Sequence, residues 1–176
     1  GPVGIGIEST IIDLTESKPM ILRPGYITPE MLSEVLQEEV VIDPGIIAAD
    51  DTRKPKAPGM KYKHYAPKAE MIIVDGAQDA VIAKINELTA AKRAEGKKVA
   101  VIATDETKER YDAQIILSMG RRSDEDAIAQ HLYKILRKCD ELDVGEIYSE
   151  CFQTPRIGQA IMNRLLKAAG HTVIHV

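Results

Sequence analysis

From residue 71 to residue 176 the chain alternates short apolar runs with amphipathic stretches, and that rhythm leaves few folds open. Segments 71–74, 98–103, 114–118, 146–149 and 172–176 read as strands, the second of them rich in β-branched residues. Between them, 77–95 sets Val81, Ile82, Ile85 and Leu88 on one helical face and stops at Gly96. Residues 105–110 read as a short helix. Ser123 is the expected cap of a long helix, with Glu125 and Asp126 in its first turn and Ile128, Leu132, Ile135, Leu136 and Cys139 on its inner stripe. Residues 157–169 turn Ala160, Ile161, Leu165 and Ala168 inward before Gly170 closes the helix. Strands without a polar face need cover on both sides, and strand–helix repetition supplies it in a parallel sheet. Residues 70–176 are therefore expected to form a small doubly wound, Rossmann-like α/β domain.

Before residue 70 the rhythm is absent. Residues 3–14 read as one or two short strands broken at Glu8-Ser9-Thr10, and 20–23 as another, ended by Pro24-Gly25. Thr28-Pro29-Glu30 opens a helix, with Thr as N-cap and Pro at the first helical position, and 40–42 is a further strand. Two or three short strands and one helix cannot hold a core alone. Residues 1–45 are accordingly read as the C-terminal remnant of a larger α/β lobe, and Gly1-Pro2, standing where a Met would be and leading straight into an apolar strand, fits that reading. Open strand edges there could drive self-association. Residues 46–69 read as a proline-punctuated linker, with Arg53, Lys54, Lys56, Lys61, Lys63 and Lys68 and no acid between the first and last of these.

Composition narrows the function classes. With no Trp, one Phe and six Tyr, the core must be built from Ile, Leu, Val, Ala and Met. A net charge of −4 argues against coating nucleic acid by bulk charge but leaves room for a local basic site. No apolar run approaches the ~20 residues that span a bilayer, and no leader is evident, so a cytoplasmic protein without a membrane partner is expected. Cys139 and Cys151 form neither a metal-ligand spacing nor a disulfide framework, and Cys139 reads as a small buried hydrophobe.

Several segments carry possible chemistry. Gly4-Ile5-Gly6 lacks the rest of a phosphate loop and reads as backbone approached closely by another backbone. Glu8-Ser9-Thr10 is either a turn that satisfies itself or a polar step aimed at a carboxylate or phosphate. Arg23, at a strand end, is either solvated or suited to phosphate oxygens. Residues 58–67 interleave lysines with Tyr62, His64 and Tyr65, as a charged linker or as a nucleotide contact. Gly120-Arg121-Arg122-Ser123 and residues 154–158 each precede a helix where an anion could sit, although a capped helix with solvated arginines is the simpler account of the first. Asn163 and Arg164 read as structural. No Ser-His-Asp set, zinc spacing or paired-carboxylate arrangement stands out, and no metal site is expected.

The segments GIGIESTIIDL, ILRPGYIT, APGMKYKHYAPKA and GQAIMNRLLKAAG, in that order, resemble the two-domain members of the YrdC-like family, the threonylcarbamoyl-adenylate synthases with an added C-terminal α/β domain. The resemblance runs over essentially the whole chain, and the third segment is the most specific because it separates two-domain from single-domain members. It implies a nucleotidyltransferase that condenses L-threonine, bicarbonate and ATP into threonylcarbamoyl-AMP and pyrophosphate, with Mg²⁺ accompanying the ATP. It further implies a separate transferase that carries the group to tRNA, so tRNA or that transferase is a possible partner. By the same resemblance Ser9 is L-threonine-binding and Arg23 is ATP-binding. Tyr65, with His64 and Lys61, belongs to the linker segment that folds over the nucleotide. The family's Lys-x-Arg and Ser-x-Asn motifs do not occur here, so no catalytic residue is assigned within this chain and the chain alone is expected to be inactive. Arg156 replaces the first glycine of a Gly-x-Gly often seen before AIMNRL, which argues against a glycine-loop ligand role. The alternative is that 70–176 is an independent module that gates the catalytic lobe or holds a nucleotide or partner.

Overall fold

The computed structural model describes residues 4–47, 56, 66–152 and 156–176. Strand pairing starts at β1 (Ile11–Asp13), antiparallel to β2 (Met20–Arg23), which pairs in parallel with β3 (Val41–Ile42). The strand expected over 3–14 is thus confined to its last third. Residues 4–10 are irregular, with Gly6 at φ 77°, a left-handed value that breaks a strand. Helix α1 (Pro29–Leu36) opens as expected, with Thr28 Oγ1 accepting from the Met31 N–H at 3.4 Å. A single further turn, α2 (Pro44–Ile47), lies where the prolines suggested only linker; the Gly45 N–H donates to Asp43 Oδ1 at 2.7 Å at its start. The buried centre of this part is Ile21, Val40 and Ile46, while Leu14, Ile27, Met31 and Val35 are exposed.

The rest is one layered unit. Its strands are β4 (Glu70–Asp75), β5 (Val99–Ala103), β6 (Ile115–Ser118), β7 (Glu146–Glu150) and β8 (Val173–His175). They form a five-stranded parallel sheet in the order β6-β5-β7-β4-β8. Alternation along the strands divides the core. Met71, Ile73, Ala100, Ile102 and Ile147 face α4 (Glu125–Glu141) and α5 (Gly158–Ala168). Val74, Val99, Val101, Ala103 and Tyr148 face α3 (Gln78–Ala94) and Tyr111. Helices on both faces of a parallel sheet are the expected doubly wound arrangement. Two local expectations are corrected. The cap of α4 is Asp124, whose Oδ1 accepts from the Ala127 N–H at 3.0 Å, rather than Ser123. The short helix expected at 105–110 is a 3-10 turn, Lys108–Arg110. Cys139 is buried among apolar neighbours, and that burial pushes its thiol up to about 12. Among the described residues no helix is long and apolar enough to cross a membrane.

The irregular N-terminal segment lies on α4 and α5. Gln130 Nε2 donates to the Gly4 carbonyl at 2.7 Å, and a Cβ at Gly6 would stand 2.4 Å from the Gln130 Cα. The close backbone approach expected at Gly4-Ile5-Gly6 is therefore real, and its partner is a helix. Ile7 and Tyr26 pack against the α4–α5 core.

Candidate functional site

The antiparallel register that opposes Ile11 to Arg23 sets the end of β2 beside the entry to β1. Arg23 Nε donates to the Ser9 carbonyl at 3.0 Å and an Arg23 terminal nitrogen reaches Ser9 Oγ at 3.2 Å. The chain then crosses back over itself. A Cβ at Gly25 would meet the Glu8 carbonyl and the Thr10 nitrogen at 2.5 Å, so only glycine fits. Thr10 Oγ1 donates to the Ile27 carbonyl at 2.7 Å. Segments 8–10 and 23–27 are thereby stitched together, bringing Ser9 and Arg23 into one site.

Glu8 turns the other way, into the sheet domain. Tyr133 on α4 donates its hydroxyl to Glu8 Oε2 at 2.6 Å, and Arg164 on α5 forms an ion pair with the same oxygen. Arg164 also donates to the Pro24 carbonyl at 3.2 Å and to Asn163 Oδ1 at 3.0 Å. One turn along α5, Lys167 is likewise buried. Burial, then the charge of Arg164, brings its ammonium down to about 8; Glu8 opposes the shift and Arg23 adds to it. Burial and Lys167 lower His171. Arg164 thus pairs with the Glu8 carboxylate, and Lys167 lies within electrostatic reach of Glu8, Arg164 and Arg23. Sequence reasoning singled out Glu8 with Ser9 but missed Tyr133, Arg164 and Lys167 as parts of this neighbourhood. The available signal was two cations, Arg164 and Lys167, set among the inward Ile161, Leu165 and Ala168.

Lys61, His64 and Tyr65 lie outside the described residues. Of the linker, Lys56 pairs with Asp13 at 3.1 Å and with Glu16 at 2.5 Å. At its far end the Lys68 N–H donates to Asp140 Oδ1 at 2.8 Å, and Ala66 lines a hollow of about 260 Å³ with Tyr133, Leu136, Arg137 and Asp140. The linker therefore rejoins the sheet domain beside Tyr133, which holds Glu8. Among the described residues no group of three His, Cys, Asp or Glu side chains could hold a metal ion.

The two helix starts in the sheet domain where an anion could sit are met by the protein's own carboxylates. The Arg122 N–H donates to both Glu106 oxygens at 3.1 Å. Its guanidinium lies over Phe152, donates to the Cys151 carbonyl at 2.9 Å and pairs with the buried Glu150. At the start of α5, Glu125 accepts from the Ile157 N–H at 2.7 Å and from the Arg156 N–H at 3.3 Å. A cleft of about 450 Å³ at the C-terminal ends of β4 and β7 is lined by Asp75, Gln78, Tyr111, Arg122 and Glu150. Glu150 also accepts from the Tyr111 hydroxyl at 2.8 Å and from the Thr107 hydroxyl. Burial, and then Glu150, push the Tyr111 phenol up.

The family model for "Threonylcarbamoyl-AMP synthase, C-terminal domain" matches residues 27–170. The threonylcarbamoyl-AMP synthase of Pyrococcus abyssi is 45% identical over 177 residues, covering 100% of this chain and 49% of its own length. That of Bacillus subtilis is 41% identical over 174 residues, covering 99% of this chain and 48% of its own. Among solved structures, P. abyssi Sua5 complexed with L-threonine superposes with a TM-score of 0.88 at 43% identity, over 100% of this chain and 49% of that one. The C-terminal Sua5 domain from Pyrococcus horikoshii gives 0.50 at 33% identity, over 63% of this chain and 100% of that one. The chain spans about half the length of the curated relatives it matches.

Proposed function

This chain belongs to the threonylcarbamoyl-AMP synthase C-terminal-domain family, and on that premise we propose that it is part of an L-threonylcarbamoyladenylate synthase, a nucleotidyltransferase acting on L-threonine, bicarbonate and ATP. The observation that carries this reading is the pairing of Ser9 with Arg23 at one strand junction. In this reading Ser9 offers its hydroxyl to L-threonine and Arg23 presents its guanidinium to the ATP phosphates. Lys61, His64 and Tyr65 close over the nucleotide. Residues 1–45 end the catalytic lobe, 46–69 link, and 70–176 form the second domain. Forming an acyl-adenylate asks chiefly for aligned substrates and neutralised phosphate charge, and in this reading Arg23 serves the second. Mg²⁺ enters with the nucleotide, as its counter-ion. The product serves threonylcarbamoyl-adenosine formation on tRNA by a separate transferase in the cytoplasm. The sheet domain acts in this scheme as a support and gate rather than as a second ligand site, since Glu106 and Glu125 already occupy its helix-start anion positions.

The test is pyrophosphate release from ATP in the presence of L-threonine and bicarbonate. The chain alone is expected to be inactive, and the chain joined to the remaining catalytic lobe active. In the joined enzyme Ser9→Ala raises KM for threonine, and Arg23→Gln raises KM for ATP, each by roughly 10-fold or more, the loss of one hydrogen bond to a charged group. Turnover by the chain alone, or unchanged KM values in both variants, would contradict the proposal.

A further inference from the structure

Arg164 is 4% exposed, and its charge is answered by a carboxylate from a distant part of the chain. The guanidinium ion-pairs with Glu8 and donates to the Pro24 carbonyl and the Asn163 side chain, three partners in all. Two of these have a particular position. Glu8 immediately precedes Ser9, and Pro24 immediately follows Arg23. One rigid guanidinium on α5 therefore grips the covalent neighbours of both residues assigned to substrate, on two different strands. Tyr133 on α4 holds the same Glu8 oxygen from a second side. Gly25 lets the two segments close to backbone contact, so a shift at Glu8 or Pro24 passes directly to Ser9 and Arg23.

We propose that Arg164 is a positioning residue: from the sheet domain, with help from Tyr133, it sets the separation and orientation of Ser9 and Arg23 and so tunes substrate affinity. This rests on the functional reading above. A lysine at 164 keeps the charge but, as a point donor, cannot span Glu8 and Pro24 together. A role confined to holding the fold lowers the amount of competent enzyme, scaling the rate without moving KM. A positioning role moves KM.

The experiment compares Arg164→Lys, Arg164→Met and Tyr133→Phe with wild type in the enzyme that joins this chain to the remaining catalytic lobe. Initial rates give KM for threonine and ATP separately from kcat, and amide hydrogen exchange is followed in parallel. Arg164→Met is expected to raise both KM values at least 10-fold, with kcat within about threefold, and Arg164→Lys to fall between it and wild type. Tyr133→Phe, which removes only a hydroxyl and guards against a misfolded Arg164 variant, raises KM about threefold, the weight of one hydrogen bond. Exchange at Ser9, Thr10 and Gly25 accelerates at least 10-fold in the Arg164 variants, while β4, β5 and β7 keep their protection. Unchanged KM values in Arg164→Lys and Tyr133→Phe overturn the positioning role. If wild type itself shows no threonine-dependent turnover, the functional reading fails. Exchange then decides the structural half of the proposal alone, and equal protection at Ser9, Thr10 and Gly25 overturns it.

Discussion

Lys167 shows how a single side chain reports on its surroundings. Buried beside Arg164, its ammonium is brought down to about 8 from an ordinary 10.5. The unfolded chain therefore holds more protons than the fold between these two values, and stability rises with pH across that window. Below about pH 8 both states are protonated and the contribution is flat. Urea unfolding of wild type and Lys167→Met from pH 7 to 10 is expected to show wild type gaining on the variant by roughly 3 kcal/mol, most of it above pH 8. Parallel curves would mean that the ammonium is well solvated. At this scale the sequence was legible where the determinant is local. Thr28 caps α1 through a residue three places on, and Cys139 is buried by its own helix stripe. Arg164 read only as structural because its partners, Glu8 and Pro24, belong to another part of the chain. Local spacing carries no trace of such a pair.

Elements were legible in kind and less so at their ends. The cap of α4 fell on Asp124 rather than Ser123 because the carboxylate one step later reaches the Ala127 N–H. Helix α2 was hidden because Pro44-Gly45 reads as a breaker, although proline is well suited to a first helical position. The first of the two short strands expected over 3–14 did not form for a different reason: Gly4 and Gly6 set their backbone against α4, and the Ser9 carbonyl accepts from Arg23. Glu125 was read only as a first-turn residue of its own helix, yet it reaches across to the backbone N–H groups at the start of α5. Glu125→Ala is accordingly expected to cost about 2 kcal/mol, the weight of a buried charged acceptor lost to two donors. Asp124→Ala should cost about 1 kcal/mol, as an ordinary cap. Denaturant midpoints at constant m would check both, and the reverse ranking would show that the α5 start is satisfied in another way.

At the scale of the whole molecule, the alternation of apolar runs and helices was enough to announce the parallel sheet, because its central strands β5 and β7 are buried throughout between helices on the two faces. The strand order β6-β5-β7-β4-β8 was not legible, since the run of residues does not say which strands become neighbours. Ser9 and Arg23 were assigned to substrates only through motif resemblance; the contacts of Arg164 and Tyr133 beneath them depend on tertiary packing. Among the described residues the first part buries Ile21, Leu22, Val40 and Ile46 and leaves Leu14, Met31 and Val35 in solvent, whereas the sheet domain has a core on each face. Residues 66–176 made alone are expected to unfold in one cooperative step, and residues 1–47 made alone to show no cooperative transition by calorimetry. A cooperative transition in the shorter piece would mean that it needs no larger lobe.

The central claim is that this chain contributes Ser9 and Arg23 to the synthesis of threonylcarbamoyl-AMP. Mass spectrometric detection of that adduct tests it most directly, in reactions holding ATP, L-threonine, bicarbonate and the remaining catalytic lobe, with this chain either supplied or left out. The account predicts the adduct when the chain is present, and its loss both when the chain is omitted and when Ser9→Ala and Arg23→Gln are combined. Equal yields in all three reactions, or no adduct in any of them, would contradict it.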